Sequence, residues 1–465
     1  MENDILATVI EYCKNLGGKE KELLLQETIS LDKVSGQNHL QELLRQASTM
    51  DTLYLNEKLN PKYLGVLKII LKESNSLERL IIDGSFNSFK LIEFIFTNCK
   101  MLAVFDIINL SGHPTFGICG INWGLGTMVK LEIHACELHQ MYDGKSAFHV
   151  LCNGLKGNEY ISELCITHCF LSDVHCNDMV ELLSTTKCVS ALVIYGNNFQ
   201  AESVKAICSA IQYSNTIRKL DLSQKHMDTQ SLAYLFKFVE EYQNLEGLAL
   251  FEVNIEDEAM ELLVSMLEKC KLTSLNCLGS KASINGFHLL TQTIARHDYL
   301  EEVDLTDIDT GDDYLQCKYV GEMIRTNKTI YKLVFENFDT LYIDEIINGL
   351  KENYYLSGIN QEDEDNEDIY LIKYTERNKM IQNKAALDFI RAARGLIITP
   401  IPNDLKLFIC NYLAVACMIP KSKQKLLVST LLSVGSIGLL VGEEEFSREL
   451  LFEACARYQN EIKQV

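Results

Sequence analysis

The sequence is short of basic residues, and this limits the partners it can take. It has 43 Lys and Arg against 64 Asp and Glu in 465 residues, a formal net charge of −21. A nucleic-acid-binding surface needs clustered Lys and Arg to neutralise phosphates. We therefore expect no nucleic-acid partner. A protein partner with a basic surface would be attracted instead.

The chain also lacks the short motifs of common catalytic and nucleotide-binding sites. G-x-S-x-G, H-E-x-x-H and the kinase signatures do not occur. The Gly-rich stretch 117–126, which holds the single Trp123, has neither G-K-[ST] nor G-x-G-x-x-G. The longer stretch 111–127 around it predicts a short irregular segment, because glycine disfavours a helix interior. We expect no enzyme activity, no small-molecule substrate and no cofactor.

Features of secreted or membrane proteins are missing as well. The 16 cysteines do not have the even spacing of a disulfide framework, which predicts reduced, mostly buried thiols and a cytoplasmic location. The first residues are acidic and show no basic region or cleavage site, so no secretory signal is expected. The apolar segment 426–441 is shorter than the about 20 residues of a membrane span, so we expect a buried helix and no membrane contact.

One cluster has residue types that bind zinc: Cys165, His168, Cys169, His175 and Cys176. The spacing fits no standard zinc motif, and the repeat described next gives these side chains different directions. Ordinary packing is the interpretation we prefer, and no metal is expected.

What the sequence does contain is a repeat. The pattern L-x-x-L-x-L, followed by an amphipathic helix such as 201–212, recurs with a period of about 28 residues. A unit of this size cannot bury its own apolar face, so the units must stack. The first apolar residues of the successive strands are Met50, Leu77, Leu102, Met128, Ile161, Val189, Ile217, Leu245, Leu272, Leu300, Ile330 and Leu356.

The flanking segments have other patterns. Residues 1–49 have helical apolar spacing, as in Ile5, Val9 and Tyr12 and in Leu23 and Leu24, and predict an N-terminal helical cap. The repeats, 11 or 12 units of about 28 residues, occupy 50–361; the acidic run 362–368 predicts a hinge. Residues 369–465, with 13 Lys and Arg against 9 Asp and Glu, predict a C-terminal helical domain. The long unit that begins at Met128 predicts an insertion around 141–145.

The repeats resemble the ribonuclease-inhibitor-like class of leucine-rich repeats. The resemblance implies an α/β solenoid, a horseshoe with a parallel β-sheet on its concave face and helices on its convex side. It also implies that the ninth repeat position, Asn or Cys in that class, holds the turn by hydrogen bonds to the backbone. Asn197, Cys169 and Cys136 match this position. Lys225, Val253 and Phe338 do not, so their turns should be built differently.

Two weaker resemblances concern the C-terminal part. Glu443–Glu445 is similar to the acidic block near the end of effectors that intracellular bacteria such as Legionella export by type IV secretion; N-terminal acids of a helix explain it equally well. Residues 400–414 are similar to the opening helix of F-box sequences. The matching residues are Pro402, Asp404, Leu405, Ile409, Tyr412 and Leu413.

The candidate site lies on the sheet face turned away from the helices, here called the open face (the concave face of a solenoid). Strand alternation turns the third, fifth and seventh repeat positions onto it. The partner-binding residues predicted there are Tyr195, Phe251, Lys219, Asp221, Asn276, Glu302 and Asp304. Aromatic anchors within a polar rim are typical of protein interfaces. Alternatively, Tyr195 and Phe251 cover the bend after the strand, and the acids are merely solvated.

The sequence thus favours a non-catalytic protein-binding module. The broader resemblance implies that this module is a bacterial effector that acts on a host protein. The alternative is a ubiquitin-ligase adaptor, in which the repeats select a substrate and the F-box-like helix recruits the ligase. The fold alone does not distinguish between these two functions.

Overall fold

The computed structural model describes most of the repeat region. The described residues are 22–24, 52–55, 76–84, 89–99, 101–111, 113–119, 127–224, 227–335, 340–353, 355–356, 358–360, 374–375 and 377–378. They form two compact units. The first contains the residues up to Leu272 with Gly279–Lys281, and the second contains Thr273–Leu278 and the residues from Ala282 onward.

In the first unit, short parallel strands alternate with helices. Its strands are β1 Glu22–Leu24, β2 Thr52–Leu55, β3 Arg79–Asp83, β4 Val104–Ile108, β5 Lys130–His134, β6 Met141–Tyr142, β7 Lys145–Ser146, β8 Glu163–Thr167, β9 Ala191–Val193, β10 Lys219–Asp221, β11 Gly247–Ala249 and β12 Asn254–Ile255. Its helices are α1 Phe89–Asn98, α2 His113–Cys119, α3 Ala147–Leu155, α4 Cys176–Thr185, α5 Ala201–Ser214, α6 Thr229–Glu241 and α7 Asp257–Leu267, with a 3-10 turn at Asp173–His175. The parallel order is β1-β2-β3-β4-β5-β8-β9-β10-β11.

The second unit continues the same alternation. Its parallel strands follow the order β13 Ser274–Asn276, β15 Glu302–Asp304, β16 Lys332–Val334 and β17 Gly358–Asn360. The short strand β14 Lys281–Ala282 lies at the unit boundary. The helices are α8 Ile284–Arg296, α9 Asp313–Thr326 and α10 Ile343–Glu352, with a 3-10 turn at Thr340–Tyr342.

The register predicted from the leucines is confirmed. Lys219 of β10 lies beside Ala191 of β9 and Gly247 of β11, which occupy the same position in the neighbouring repeats. All eleven predicted strand-opening residues that the structure describes, from Leu77 to Leu356, are at most 4% exposed. Because the strands of the main sheet are parallel and in the same register, one buried row of apolar side chains recurs from repeat to repeat.

The predicted turn chemistry is also confirmed. Asn197 is buried; its Oδ1 accepts the backbone N–H groups of Cys169 (3.2 Å) and Leu171 (3.0 Å). Its Nδ2 donates to the carbonyls of Ile166 (2.9 Å) and Ile194 (2.8 Å). A buried backbone group without a partner is costly, so this amide stabilises the turns of two neighbouring repeats at once.

Cysteine makes a weaker version of the same turn. The Cys169 thiol donates to the carbonyl of Thr167 at 3.2 Å, and the Cys136 thiol donates to that of His134 at 3.3 Å. Where Val253 occupies the ninth position, the Ser280 hydroxyl supplies the missing hydrogen-bonding group. Ser280 Oγ accepts the Val253 N–H at 3.2 Å and donates to the Leu250 carbonyl at 2.6 Å. The Val253 turn is therefore built differently, as expected; Lys225 and Phe338 lie outside the described residues.

The insertion expected around 141–145 is confirmed, since β6 and β7 form an antiparallel hairpin there. Two other segments differ from the expectations. Glu22–Leu24 is strand β1, paired in parallel with β2, whereas the spacing of Leu23 and Leu24 predicts a helix. Pairing at the sheet edge satisfies backbone groups that β2 would otherwise leave open. His113–Cys119 is helical despite its glycine, with Pro114 in the first turn, where proline is tolerated; Trp123 lies outside the described residues.

A second set of asparagines closes the turns that lead into the strands of the second unit. Asn327 accepts the Ile330 N–H at 2.8 Å, and Asn353 accepts the Leu356 N–H at 2.8 Å. Asn378, fully buried, donates to the Leu356 carbonyl at 2.6 Å. The hydrogen-bonding pattern therefore reaches beyond the acidic run 362–368. The remainder of the C-terminal helical domain lies outside the described residues and stays a prediction.

Candidate functional site

The open face of the first unit carries a row of side chains from successive strands. Along the middle of the strands the register aligns Asp106, Glu132, Cys165, Val193, Asp221 and Ala249. The row changes from charged at β4 and β5 to small and apolar at β9 and β11. The middle of the open face is therefore charged at β4 and β5 and apolar at β9 and β11.

The aromatic part is a run of rings at the carboxyl ends of the strands. Tyr195 and Phe251 meet edge to face, with ring centroids 5.5 Å apart. His168 meets Tyr195 in the same way at 4.7 Å and His134 at 5.3 Å. Edge-to-face pairs contribute about 0.5–1.5 kcal/mol beyond the area they bury. The structure thus brings together the two predicted aromatic residues and adds two histidines.

The sequence did not identify His168 as part of this run, although its spacing could have done so. His168 and Gly196 occupy the same position in adjacent repeats, and both have a positive φ, 54° and 71°. A Cβ at position 196 would overlap the His168 ring. Glycine at 196 thereby leaves room for the imidazole to lie against the backbone beside Tyr195.

The Tyr195 phenol lies near the Glu252 carboxylate. Burial, together with this carboxylate, raises the pKa of Tyr195 to about 12. Both aromatic side chains are half-buried, and Lys219 is exposed. This arrangement offers an apolar surface beside a carboxylate, with a lysine near the start of the neighbouring strand β10.

Asp221 is not at the surface, contrary to its predicted role. It is only 3% exposed, and Oδ1 accepts the Ser223 N–H at 2.9 Å. Oδ2 has no hydrogen-bond partner among the described residues. Burial raises the pKa of Asp221 to about 6. The strand alternation is right, but the carboxylate turns back onto its own backbone and closes the end of β10.

We expect Asp221→Asn to raise stability at neutral pH. The folded protein holds a proton on Asp221 between pH 4 and 6 that an unfolded chain releases, so this residue lowers stability as pH rises through that window. Asparagine can keep the turn, because Asn276 Oδ1 accepts the Leu278 N–H at 2.9 Å in the same way. The gain at pH 7.5 should be about 1–2 kcal/mol, reduced by the unpaired amide protons. Urea titrations from pH 4 to 7.5 measure it.

Asp228→Asn is the matched control, because its effect on stability at neutral pH should have the opposite sign to that of Asp221→Asn. Asp228 is exposed and caps α6 by accepting the Ser231 N–H at 2.7 Å, and these hydrogen bonds lower its pKa. Its contribution is present above its unfolded pKa and is lost as pH falls. Parallel stability curves for Asp221→Asn and the wild type from pH 4 to 7.5 would disprove the role given to Asp221.

Three predicted residues lie in the second unit and are connected there. Asn276 Nδ2 donates to Asp304 Oδ2 at 3.1 Å, and Asp304 Oδ1 accepts the Thr306 N–H at 3.0 Å. Glu302 accepts a hydrogen bond from the Tyr331 hydroxyl at 2.6 Å. Much of the hydrogen-bonding capacity of these acids is therefore used within the fold. Glu302 and Asp304 are positioned by neighbours within the fold, and their role as an acidic rim for a partner stays a prediction.

An ion-pair cluster on the open face was missed by the sequence reasoning. Arg79 lies 2.6 Å from Asp106 and 3.6 Å from Glu132, and Lys130 lies 2.7 Å from Glu132. Burial and the neighbouring Glu132 raise the pKa of Asp106 to about 6. The signal was available in the spacing, since 79, 106 and 132 occupy adjacent repeats, but the irregular glycine-rich unit obscured Asp106.

The Cys/His cluster has the divergent roles expected from the repeat. The Cys169 thiol is in a buried turn, His175 Nδ1 accepts the Ser172 N–H at 3.2 Å, and Cys165 is on the open face. Burial raises the pKa of Cys165 to about 11, whereas zinc binds the thiolate. In the described part of the chain, no three His, Cys, Asp or Glu residues are grouped to hold a metal ion.

No protein-family profile matches the chain. Among curated proteins, it is 23% identical over 192 residues to human NACHT, LRR and PYD domains-containing protein 13, a match that covers 41% of this chain and 18% of that protein. Mouse NACHT, LRR and PYD domains-containing protein 9C is 29% identical over 133 residues, a match that covers 28% of this chain and 13% of that protein. The chain thus spans less than a fifth of the length of these relatives.

Solved structures add neighbours of low similarity. A TLR13–ssRNA13 complex has a TM-score of 0.38 and 13% identity, over 67% of this chain and 40% of that one. Leiomodin-1 actin-binding site 2 has a TM-score of 0.26 and 17% identity, over 42% of this chain and 95% of that one. No helix among the residues that the structure describes is long and apolar enough to cross a membrane. From its register, its turns and its repeat-bearing relatives, the chain is an α/β solenoid of leucine-rich repeats.

Proposed function

We propose that the chain is a non-catalytic module that binds a protein on the open face of its first unit. The observation that carries this is the ring contact between Tyr195 and Phe251, continued by His168. Half-buried aromatic side chains can exclude water from a partner at little cost in conformational entropy, because they are already ordered by each other. Hot spots of protein interfaces are enriched in such residues.

The charge of the chain supports a partner with a basic surface. The net charge is −21, and the Glu252 carboxylate lies near the Tyr195 phenol, whose pKa it raises. Opposite charge across an interface speeds association and disfavours wrong partners. The same distribution is the reason we propose a protein rather than a nucleic acid as the partner.

The state of the thiols supports a binding rather than a catalytic role. Ten of the twelve described cysteines are buried, and all twelve are thiols rather than disulfides, as the sequence predicted. Burial raises the pKa of eleven of them, so they are protonated near neutral pH. A protonated thiol is a poor nucleophile. These residues serve packing and turn formation.

The test is the double substitution Tyr195→Ala and Phe251→Ala. A partner is first isolated from cytosol with the full chain and identified by mass; calorimetry then gives its affinity. We expect the variant to lose about 2–3 kcal/mol of binding free energy, because two clustered anchors are removed. The control is Tyr160→Ala with Tyr213→Ala, two exposed aromatic residues away from the ring run. Unchanged affinity in a folded double variant would refute the site.

The finer assignments depend on other observations. The ribonuclease-inhibitor-like class is supported by the α-helices of 10 to 14 residues in the repeats from α4 to α10. The effector and ligase-adaptor hypotheses depend on Glu443–Glu445 and on the F-box-like residues from Pro402 to Leu413, which lie outside the described residues. Both remain predictions. Recruitment of ligase scaffold subunits by the full chain, lost on Leu405→Ala, would support the adaptor hypothesis.

A further inference from the structure

Phe170 has a conformation that the fold does not explain. Its φ is +57°, in the left-handed region, and its side chain is 63% exposed. A bulky residue there is strained by roughly 1–3 kcal/mol. Glycine or asparagine would fit this backbone at lower cost. The ring gains little burial within the chain in return, so it is held where something else can contact it.

Other exposed apolar side chains lie on this loop and on the corresponding loop of the preceding repeat. The β6–β7 hairpin, inserted in the preceding repeat, presents Met141 (63% exposed) and Tyr142 (57%). Val174, in the same loop as Phe170, is 81% exposed. The two loops leave neighbouring strands, because His134 pairs with Thr167, and they meet where the His139 and Phe170 rings lie 5.3 Å apart. Exposed apolar groups gathered in this way are typical of interaction sites.

The charges around these loops have one predominant sign. Residues 135–146 and 168–178 together contain four acids, Glu137, Asp143, Asp173 and Asp178, against one lysine, Lys145. Asp143 and Asp173 are exposed. Such a frame attracts Lys and Arg and repels acidic segments.

We propose that Met141, Tyr142, Phe170 and Val174, the loop patch, form a docking surface for a basic, amphipathic segment of a partner protein. The segment presents aliphatic side chains to the patch and Lys or Arg to its acidic frame. This surface lies on the loops after the strands and shares no residue with the Tyr195–Phe251 site. It is independent of the function proposed for the open face.

The experiment uses the full chain and a fluorescein-labelled 14-residue peptide of Leu and Lys, with the leucines in one helical stripe. Its isomer has Glu in place of Lys. Anisotropy titrations at 150 mM salt compare the wild type with Phe170→Gly, Met141→Ser and, as a matched control, Tyr213→Ser, whose ring is 79% exposed on α5. Phe170→Gly suits the positive φ and should keep the thermal midpoint at or above that of the wild type, so misfolding does not confuse the result.

The proposal requires that the Leu/Lys peptide bind the wild type and that Phe170→Gly weaken binding by about tenfold or more. Met141→Ser should also weaken it, Tyr213→Ser should not, and the Leu/Glu peptide should bind about tenfold more weakly. Equal binding by wild type and Phe170→Gly, or no binding by wild type, overturns it. So does a sedimenting dimer that Phe170→Gly dissociates, which assigns the patch to a second copy, or co-sedimentation with phosphatidylcholine vesicles, which assigns it to a lipid surface.

Discussion

Replacing Asn197 by alanine should lower the free energy of unfolding by about 4–6 kcal/mol, because buried backbone groups lose their hydrogen-bond partner. The amide serves four such groups, the N–H groups of Cys169 and Leu171 and the carbonyls of Ile166 and Ile194. Each group left without a partner costs roughly 1–3 kcal/mol. Since these groups belong to two repeats, loss of the amide should also weaken the coupling between neighbouring repeats. Urea titration followed by circular dichroism measures both the free energy and its slope.

Two variants make this result specific. Asn198→Ala changes the same residue type one position further, where the side chain is exposed, and should alter stability by less than about 0.5 kcal/mol. Asn197→Cys introduces the residue that Cys136 and Cys169 provide at the same position, and should recover part of the loss. If all three variants were as stable as the wild type, the turns would not depend on this amide.

Gly349→Ala should destabilise the second unit by roughly 3–4 kcal/mol, because the added methyl group overpacks a contact between two helices. A Cβ at Gly349 in α10 would overlap the carbonyl oxygen of Gly321 in α9 and lie 3.1 Å from its Cα. Overpacking usually costs about 1–3 kcal/mol, and here the obstacle is helix backbone, which cannot turn aside as a side chain can. The two glycines thus allow the helices to approach backbone to backbone. Thermal and urea unfolding measure the loss.

The control is the same substitution at an exposed helical glycine. Gly154 in α3 is exposed, so Gly154→Ala should stabilise the protein by about 0.5–1 kcal/mol, because alanine is the better helix former. Opposite signs for the two substitutions are the expected outcome. A stabilising Gly349→Ala would mean that α9 and α10 are further apart than described.

The candidate site was predictable in its positions and less so in its chemistry. Repeat spacing placed Tyr195 and Phe251 two repeats apart on one face, and their rings are in contact. It also placed Asp221 there, yet that carboxylate is buried against the Ser223 N–H. Strand alternation gives the direction of a Cα–Cβ bond; it does not say whether a short polar side chain then turns to solvent or to its own backbone.

The fold class could be read from the chain alone. Apolar residues recur at nearly regular intervals and cannot be buried by a single unit, so their spacing determined the stacking, the parallel register and the turn residues Asn197, Cys136 and Cys169. Contacts between repeats decided the rest. The Arg79–Asp106 ion pair, the Gly321–Gly349 approach and the exposed Phe170 ring each depend on residues that lie about one repeat apart. The repeat spacing gives the equivalent positions of such residues, but only the stacking of the repeats decides which side chains meet.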